Sequence, residues 1–129
     1  MRLMLFVVCA LTGCSSMPEC IEVDTSCAPG YVPTFDNVWS NTIQGKCGGT
    51  DSSCHSVTGR AGGMTLQDID TAYSQLTKNG RAIGGNAACS TMIVRTNSPG
   101  EDYQMPPGDP LTPEARCALV QWVQMGALR

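Results

Sequence analysis

Large apolar side chains are in short supply. The 129 residues include two Trp, three Tyr and two Phe, and only 15% of the chain is charged. A small domain with so few aromatics builds a thin core, and thin cores depend on staples such as disulfides, a metal or a bound cofactor. The net charge is −3 and the sequence has no basic patch, so no nucleic-acid partner is expected. Long hydrophobic runs are missing too. The longest, Leu3 to Leu11, falls well short of the roughly 20 residues of a membrane-spanning helix. There is no internal repeat and no block of like charge.

Eight cysteines, 14 glycines and eight prolines stand against these shortages. At the N-terminus, Arg2 is a short positive region, Leu3 to Leu11 an apolar one, and Leu11-Thr12-Gly13-Cys14 is followed by Ser15-Ser16. This resembles a bacterial lipoprotein signal. Residues 1–13 would be removed and Cys14 would carry the acyl chains that hold the protein on a membrane rather than across it. Ser15 resembles the residue of lipoproteins sent to the outer membrane, facing the periplasm or the exterior. Export implies an oxidising compartment, where cysteines form disulfides or bind cofactors. Cys9 leaves with the signal, and beyond Cys14 six cysteines remain: Cys20, Cys27, Cys47, Cys54, Cys89 and Cys117. They fit three disulfides, or two disulfides plus one attached cofactor. Cys20 and Cys27 are close in sequence and are expected to pair. Cys89 and Cys117 would then tie the middle of the chain to its last helix, leaving Cys47 and Cys54 together.

Residues 14–33, broken by Pro18, Pro29, Gly30 and Pro33, read as a lipidated tether. Residues 34–129 read as one domain. Thr34 is a good N-cap, Asp36 sits in the first turn, and Phe35, Val38, Trp39, Thr42 and Ile43 recur at helical spacing. That helix should reach Gln44 or Lys46 and deliver Cys47 at its end. Asp68 to Leu76 reads as a second helix, with Gly80 a left-handed terminator. Ala87 to Arg95 is apolar and reads equally as helix or strand. Asn97 to Gly100 is a turn. Thr112-Pro113-Glu114 is an explicit helix start, and Ala115, Ala118, Leu119, Trp122 and Val123 form the buried face of the helix that follows.

The chemistry concentrates in Cys47-Gly-Gly-Thr-Asp-Ser-Ser-Cys54-His55, which contains the only histidine. A Cys-His pair closing a short cysteine loop is the attachment signal of c-type haem. The thiols add to the haem vinyl groups, and the adjacent imidazole reaches the iron as proximal ligand. Six residues separate the two cysteines here, where the usual loop has two. The other reading is a Cys47–Cys54 disulfide with His55 merely beside it. Met105 stands before Pro106-Pro107, a rigid mount for one side chain. Its thioether suits haem iron, and the other reading is a gap-filling core methionine. Enzyme readings are poorly supported. Ser53 and Ser56 flank the histidine region without a nucleophile elbow, and a Cys/His zinc site lacks a fourth ligand.

The helix with Phe35 and Trp39, Cys54-His55, Gly62-Gly63-Met64-Thr65-Leu66, Met105-Pro106-Pro107, Leu111-Thr112 and Trp122 through Gly126-Ala127 together resemble a small class I cytochrome c domain. The likeness is to the short type in planctomycete and myxobacterial lipoproteins, and it covers roughly Pro33 to Ala127. The resemblance implies an all-α fold of three to five short helices with long Gly/Pro-rich loops, here stapled by disulfides. It implies one covalent haem c on Cys47 and Cys54, with His55 proximal and Met105 distal. The function it implies is a membrane-anchored monohaem electron carrier that works with an unidentified redox protein and converts no substrate of its own. Peroxidase-like activity is open to it if Met105 leaves the iron free. The alternative is a haem-free, disulfide-stapled binding or structural domain on the same helices.

Overall fold

The computed structural model describes residues 16–49 and 54–129. The signal segment 1–13, the lipidation residue Cys14 and residues 50–53 of the cysteine loop lie outside the described residues. The described residues form helices and turns and no strand, which is the all-α class expected. No helix among them is long and apolar enough to cross a membrane.

The first helix begins where the capping residues put it. The Thr34 side chain accepts from the Asn37 N–H at 3.4 Å, and Asp36 lies in the first turn. An α-helical turn, Phe35–Val38, passes into a π-helical turn, Trp39–Ile43, and back into Gln44–Lys46. The wider turn was not foreseen from the spacing. It buries Trp39, Thr42 and Ile43 together, and the Tyr31 hydroxyl hydrogen-bonds the buried Thr42 hydroxyl. The Ile43 carbonyl then accepts from both Cys47 and Gly48, ending the helix at the cysteine loop.

The Ile69–Leu76 helix is capped by Asp68, whose carboxylate accepts from the Asp70 and Thr71 N–H groups. Asn79 and Gly80 follow at φ 55° and 72°, turning the chain back. The ambiguous stretch resolves as a 3-10 turn, Ala87–Cys89, and a helix, Thr91–Thr96. Asn86 decides its start by accepting from the Cys89 N–H. The C-terminal helix, Pro113–Gln124, starts on Thr112 with proline in its first turn. Its buried residues include Ala118, Leu119, Trp122 and Val123 as expected, with Cys117 and Val120 added.

The core forms where the first and last helices meet. Phe35 packs on Trp122 at 5.0 Å between centroids, and Tyr73 meets the Phe35 ring edge-on at 5.1 Å. The Trp122 indole N–H donates to the Leu128 carbonyl, so its burial leaves no orphaned donor.

One expectation needs correction. The pairs are Cys20–Cys89 and Cys27–Cys117, not Cys20–Cys27 and Cys89–Cys117. The reason is the course of residues 20–33, which run as a strap over the helices. The Ile21 N–H donates to the Ala88 carbonyl at 2.9 Å, Gly30 to Glu114 at 3.2 Å, and the Gln121 side chain to the Cys27 carbonyl at 2.8 Å. This segment, read from the sequence as a tether, is fastened to the helices from Cys20 onward.

Closing loops of this length in a small domain stabilises it by about 2–5 kcal/mol per disulfide. The paired substitution Cys27→Ser with Cys117→Ser is expected to lower denaturant-measured stability by that order, and non-reducing peptide mapping should recover Cys20–Cys89 and Cys27–Cys117 fragments. Gly48 offers a second check. A Cβ there would lie 2.2 Å from the Leu66 carbonyl oxygen and 2.5 Å from the Leu66 Cβ, with no flexible group to yield. Gly48→Ala should destabilise the domain by about 1–3 kcal/mol, as overpacking does, whereas Gly45→Ala, which meets nothing within 4 Å, should be neutral or slightly stabilising.

Candidate functional site

The cysteine loop is drawn shut by three backbone contacts. The His55 N–H donates to the Cys47 carbonyl at 3.3 Å, the Gly49 N–H to the Leu66 carbonyl at 2.7 Å, and the Leu66 N–H to the His55 carbonyl. Leu66, buried in the core, thus holds both arms of the loop. Beyond His55 the chain coils back, with Ala61 N–H on the Cys54 carbonyl at 2.8 Å and Arg60 N–H on the Ser56 carbonyl at 3.0 Å. The buried Ser56 hydroxyl accepts from the Gly59 N–H. That bond closes this turn.

These turns orient the single imidazole. His55 Nδ1 lies 2.8 Å from the Ala61 carbonyl oxygen. A carbonyl only accepts, so Nδ1 carries the proton and Nε2 keeps its lone pair. Burial, foremost, lowers the pKa of the ring below its ordinary value; hydrogen bonds to the Ala61 and Met64 backbone oppose this, and the charges of Arg81 and Arg95 add to it. At neutral pH the ring is therefore the neutral, ligand-competent form.

The ring lines a cavity of about 340 Å³, at the lower end of the roughly 300–1,000 Å³ of small-molecule sites. Ile43, Leu66, Leu76 and Met92 supply much of its apolar wall. Cys47 comes to this cavity from the end of the first helix, and Met105 from the proline-rich loop. The Met105 N–H donates to the Arg95 carbonyl at 3.0 Å, which anchors that loop to the Thr91–Thr96 helix, and the peptide bond to Pro106 is cis. Gln104 braces the same loop through the Pro106 and Gly108 carbonyls.

Three residues singled out from the sequence, Cys47, His55 and Met105, are thus brought to one cavity. Cys54 precedes His55 directly and is near enough to Cys47 to act on its thiol. Burial first and the Cys54 charge second push the Cys47 thiol up to about 11, so it is held protonated. Neither Cys47 nor Cys54 belongs to a disulfide, whereas Cys20, Cys27, Cys89 and Cys117 all do. Among the described residues no group of three or more His, Cys, Asp and Glu side chains is assembled to hold a metal.

Sequence reasoning missed the rest of the lining. Arg81, Thr91, Met92, Arg95 and Thr96 all face this cavity. A signal existed for one of them: Arg95 ends an otherwise apolar run, where a charged side chain needs a reason.

No curated protein and no solved structure matches the chain. A family described as Planctomycete cytochrome C matches residues 52–109, a span that starts just ahead of Cys54-His55, takes in Met105 and supports a cytochrome c-like domain here.

Proposed function

We propose that this chain is a membrane-anchored monohaem electron carrier of the c type. The observation that carries the reading is the His55 imidazole. It is neutral, its Nδ1–H is occupied by the Ala61 carbonyl, and its ring shares one cavity with Met105 and Cys47. The donor set fits haem: an imidazole and a thioether, one thiol in the wall and a second beside the imidazole, and apolar surface for a porphyrin face. Cys47 and Cys54 would hold the group covalently, His55 would be the proximal ligand and Met105 the distal one. Haem, when bound, supplies a one-electron redox centre.

The chain's own residues do the remaining work. The Ala61 carbonyl fixes the imidazole's tautomer and raises its basicity as a ligand. Ile43, Leu66 and Leu76 exclude water. Leu66 keeps the two arms of the cysteine loop together, so that Cys47 and His55 serve one site. Cys14 would carry the lipid, putting the domain on the bacterial outer membrane facing the periplasm or the exterior. Its partner would be a redox protein. The family match over residues 52–109 supports an electron-transfer role rather than substrate conversion.

The test is expression in a host that matures c-type haem. The denatured protein should retain haem-linked peroxidase stain, and the pyridine haemochrome band should report two thioethers, moving to the one-thioether position in Cys47→Ser. A folded chain without haem, in which Cys47 and Cys54 resist alkylation until reduced, would replace this reading with a haem-free, disulfide-stapled lipoprotein domain. Met105→Ala is expected to lower the midpoint potential and let added cyanide or azide bind the iron; an unchanged potential and spectrum would remove Met105 from the ligand set.

A further inference from the structure

Two arginines line an otherwise largely apolar cavity, and among the described residues no carboxylate lines it with them. Arg81 follows the turn at Asn79 and Gly80, and Arg95 closes the Thr91–Thr96 helix. The backbone binds their two segments to the cavity wall: Met92 N–H donates to the Arg81 carbonyl at 2.9 Å, and Met105 N–H to the Arg95 carbonyl at 3.0 Å. Each guanidinium is steadied by one neutral acceptor. Arg81 donates to the Gln75 carbonyl at 2.9 Å and Arg95 to the Tyr103 carbonyl at 3.3 Å. A guanidinium has five N–H donors, and a carbonyl offers it no opposing charge. The salt bridges among the described residues are those of Arg129 with Asp36 and Asp70, so neither cavity arginine is neutralised that way. Both are near enough to His55 to disfavour its protonated form.

A partly buried cation without a counter-charge is costly unless a ligand supplies one. We propose that Arg81 and Arg95 form an anion-binding edge to this cavity and hold the two carboxylates of a porphyrin dicarboxylic acid whose ring lies against the apolar wall. This rests on the haem reading and adds to it which side chains set the cofactor's orientation. Arginine suits the task because its fork meets a carboxylate with two parallel hydrogen bonds. Thr91 lines the same cavity, and its hydroxyl adds a donor of the kind a carboxylate accepts. The cavity thus sorts its ligand by polarity, with apolar surface for the ring and positive charge for the acidic groups.

The probes are haemin and haemin dimethyl ester, which share the ring and iron and differ in the two negative charges. Each is titrated into the full chain, prepared in detergent without haem maturation and followed by its absorbance. Haemin should bind at least about tenfold more tightly than the ester, as charge-assisted hydrogen bonds would give. Arg81→Gln and Arg95→Gln should each shrink that ratio, and the double variant should bring it close to one. The Lys variants should recover part of the preference, because charge survives while the fork is lost. Melting curves of each variant show whether the domain remains folded, and the Lys forms carry the comparison if a Gln form does not. Equal binding of both porphyrins by the unaltered chain would overturn the inference and leave the haem reading standing. A preference that persists in the double variant would do the same. Binding of neither porphyrin would overturn both together.

Discussion

The fold hangs on one contact, Phe35 against Trp122. With seven aromatic residues in the chain, most of the large apolar area has to be gathered at a single place. The two rings meet where the first helix crosses the last, and Tyr73 brings the Ile69–Leu76 helix to the same point. Arg129 closes over the cluster, 5.5 Å from the Phe35 centroid and 6.0 Å from Tyr73, while pairing with Asp36 and Asp70. Those pairs are exposed, and exposed pairs contribute little by themselves. Their use is positional, since they hold the guanidinium over rings that solvent would otherwise reach. Once the crossing is fixed, so is the far end of the first helix, and with it the place of Cys47 on the cavity wall.

What could be read from the sequence was local. Thr34 and Thr112 each announced a helix, and each is found capping one, because a cap needs only the few residues that follow it. The disulfides were misread because nearness in sequence was taken as nearness in space. The entropy of closing a loop grows only logarithmically with length, so a ninety-residue closure costs about 2 kcal/mol more than a seven-residue one. So small a difference is outweighed by the hydrogen bonds that lay residues 20–33 along the helices, and the observed pairs span 69 and 90 residues. Pro29 and Pro33 suited an extended strap as well as a tether, and composition had no means of choosing between them.

The candidate site divides the same way. His55 and Cys47 were visible as rare residue types in one short stretch, and Met105 by its two prolines. Arg81 and Arg95 were not, because they reach the cavity through contacts that have no sequence period: Met92 on the Arg81 carbonyl, Met105 on the Arg95 carbonyl. The π-helical turn was equally hidden. Trp39, Thr42 and Ile43 at this spacing share one face of an ordinary helix, so their pattern carries no sign of the wider turn.

The six-residue interval between Cys47 and Cys54 is where the chain departs most from the usual attachment loop. Along the chain the interval lengthens the path from the first helix to the imidazole. Across space it need not, because the ends of the path are tied. The His55 N–H rests on the Cys47 carbonyl at 3.3 Å, and Leu66 bonds Gly49 on one arm and His55 on the other. Gly48 lets the Leu66 backbone come this close, which any side chain there would prevent. Spacing in sequence and spacing in the site are thus uncoupled, and the constraint that a short loop would impose by its length is imposed here by the backbone of Leu66. A longer loop held in this way costs closure entropy that grows only slowly with its length, while the cavity keeps its imidazole, its thiol and its thioether within one wall.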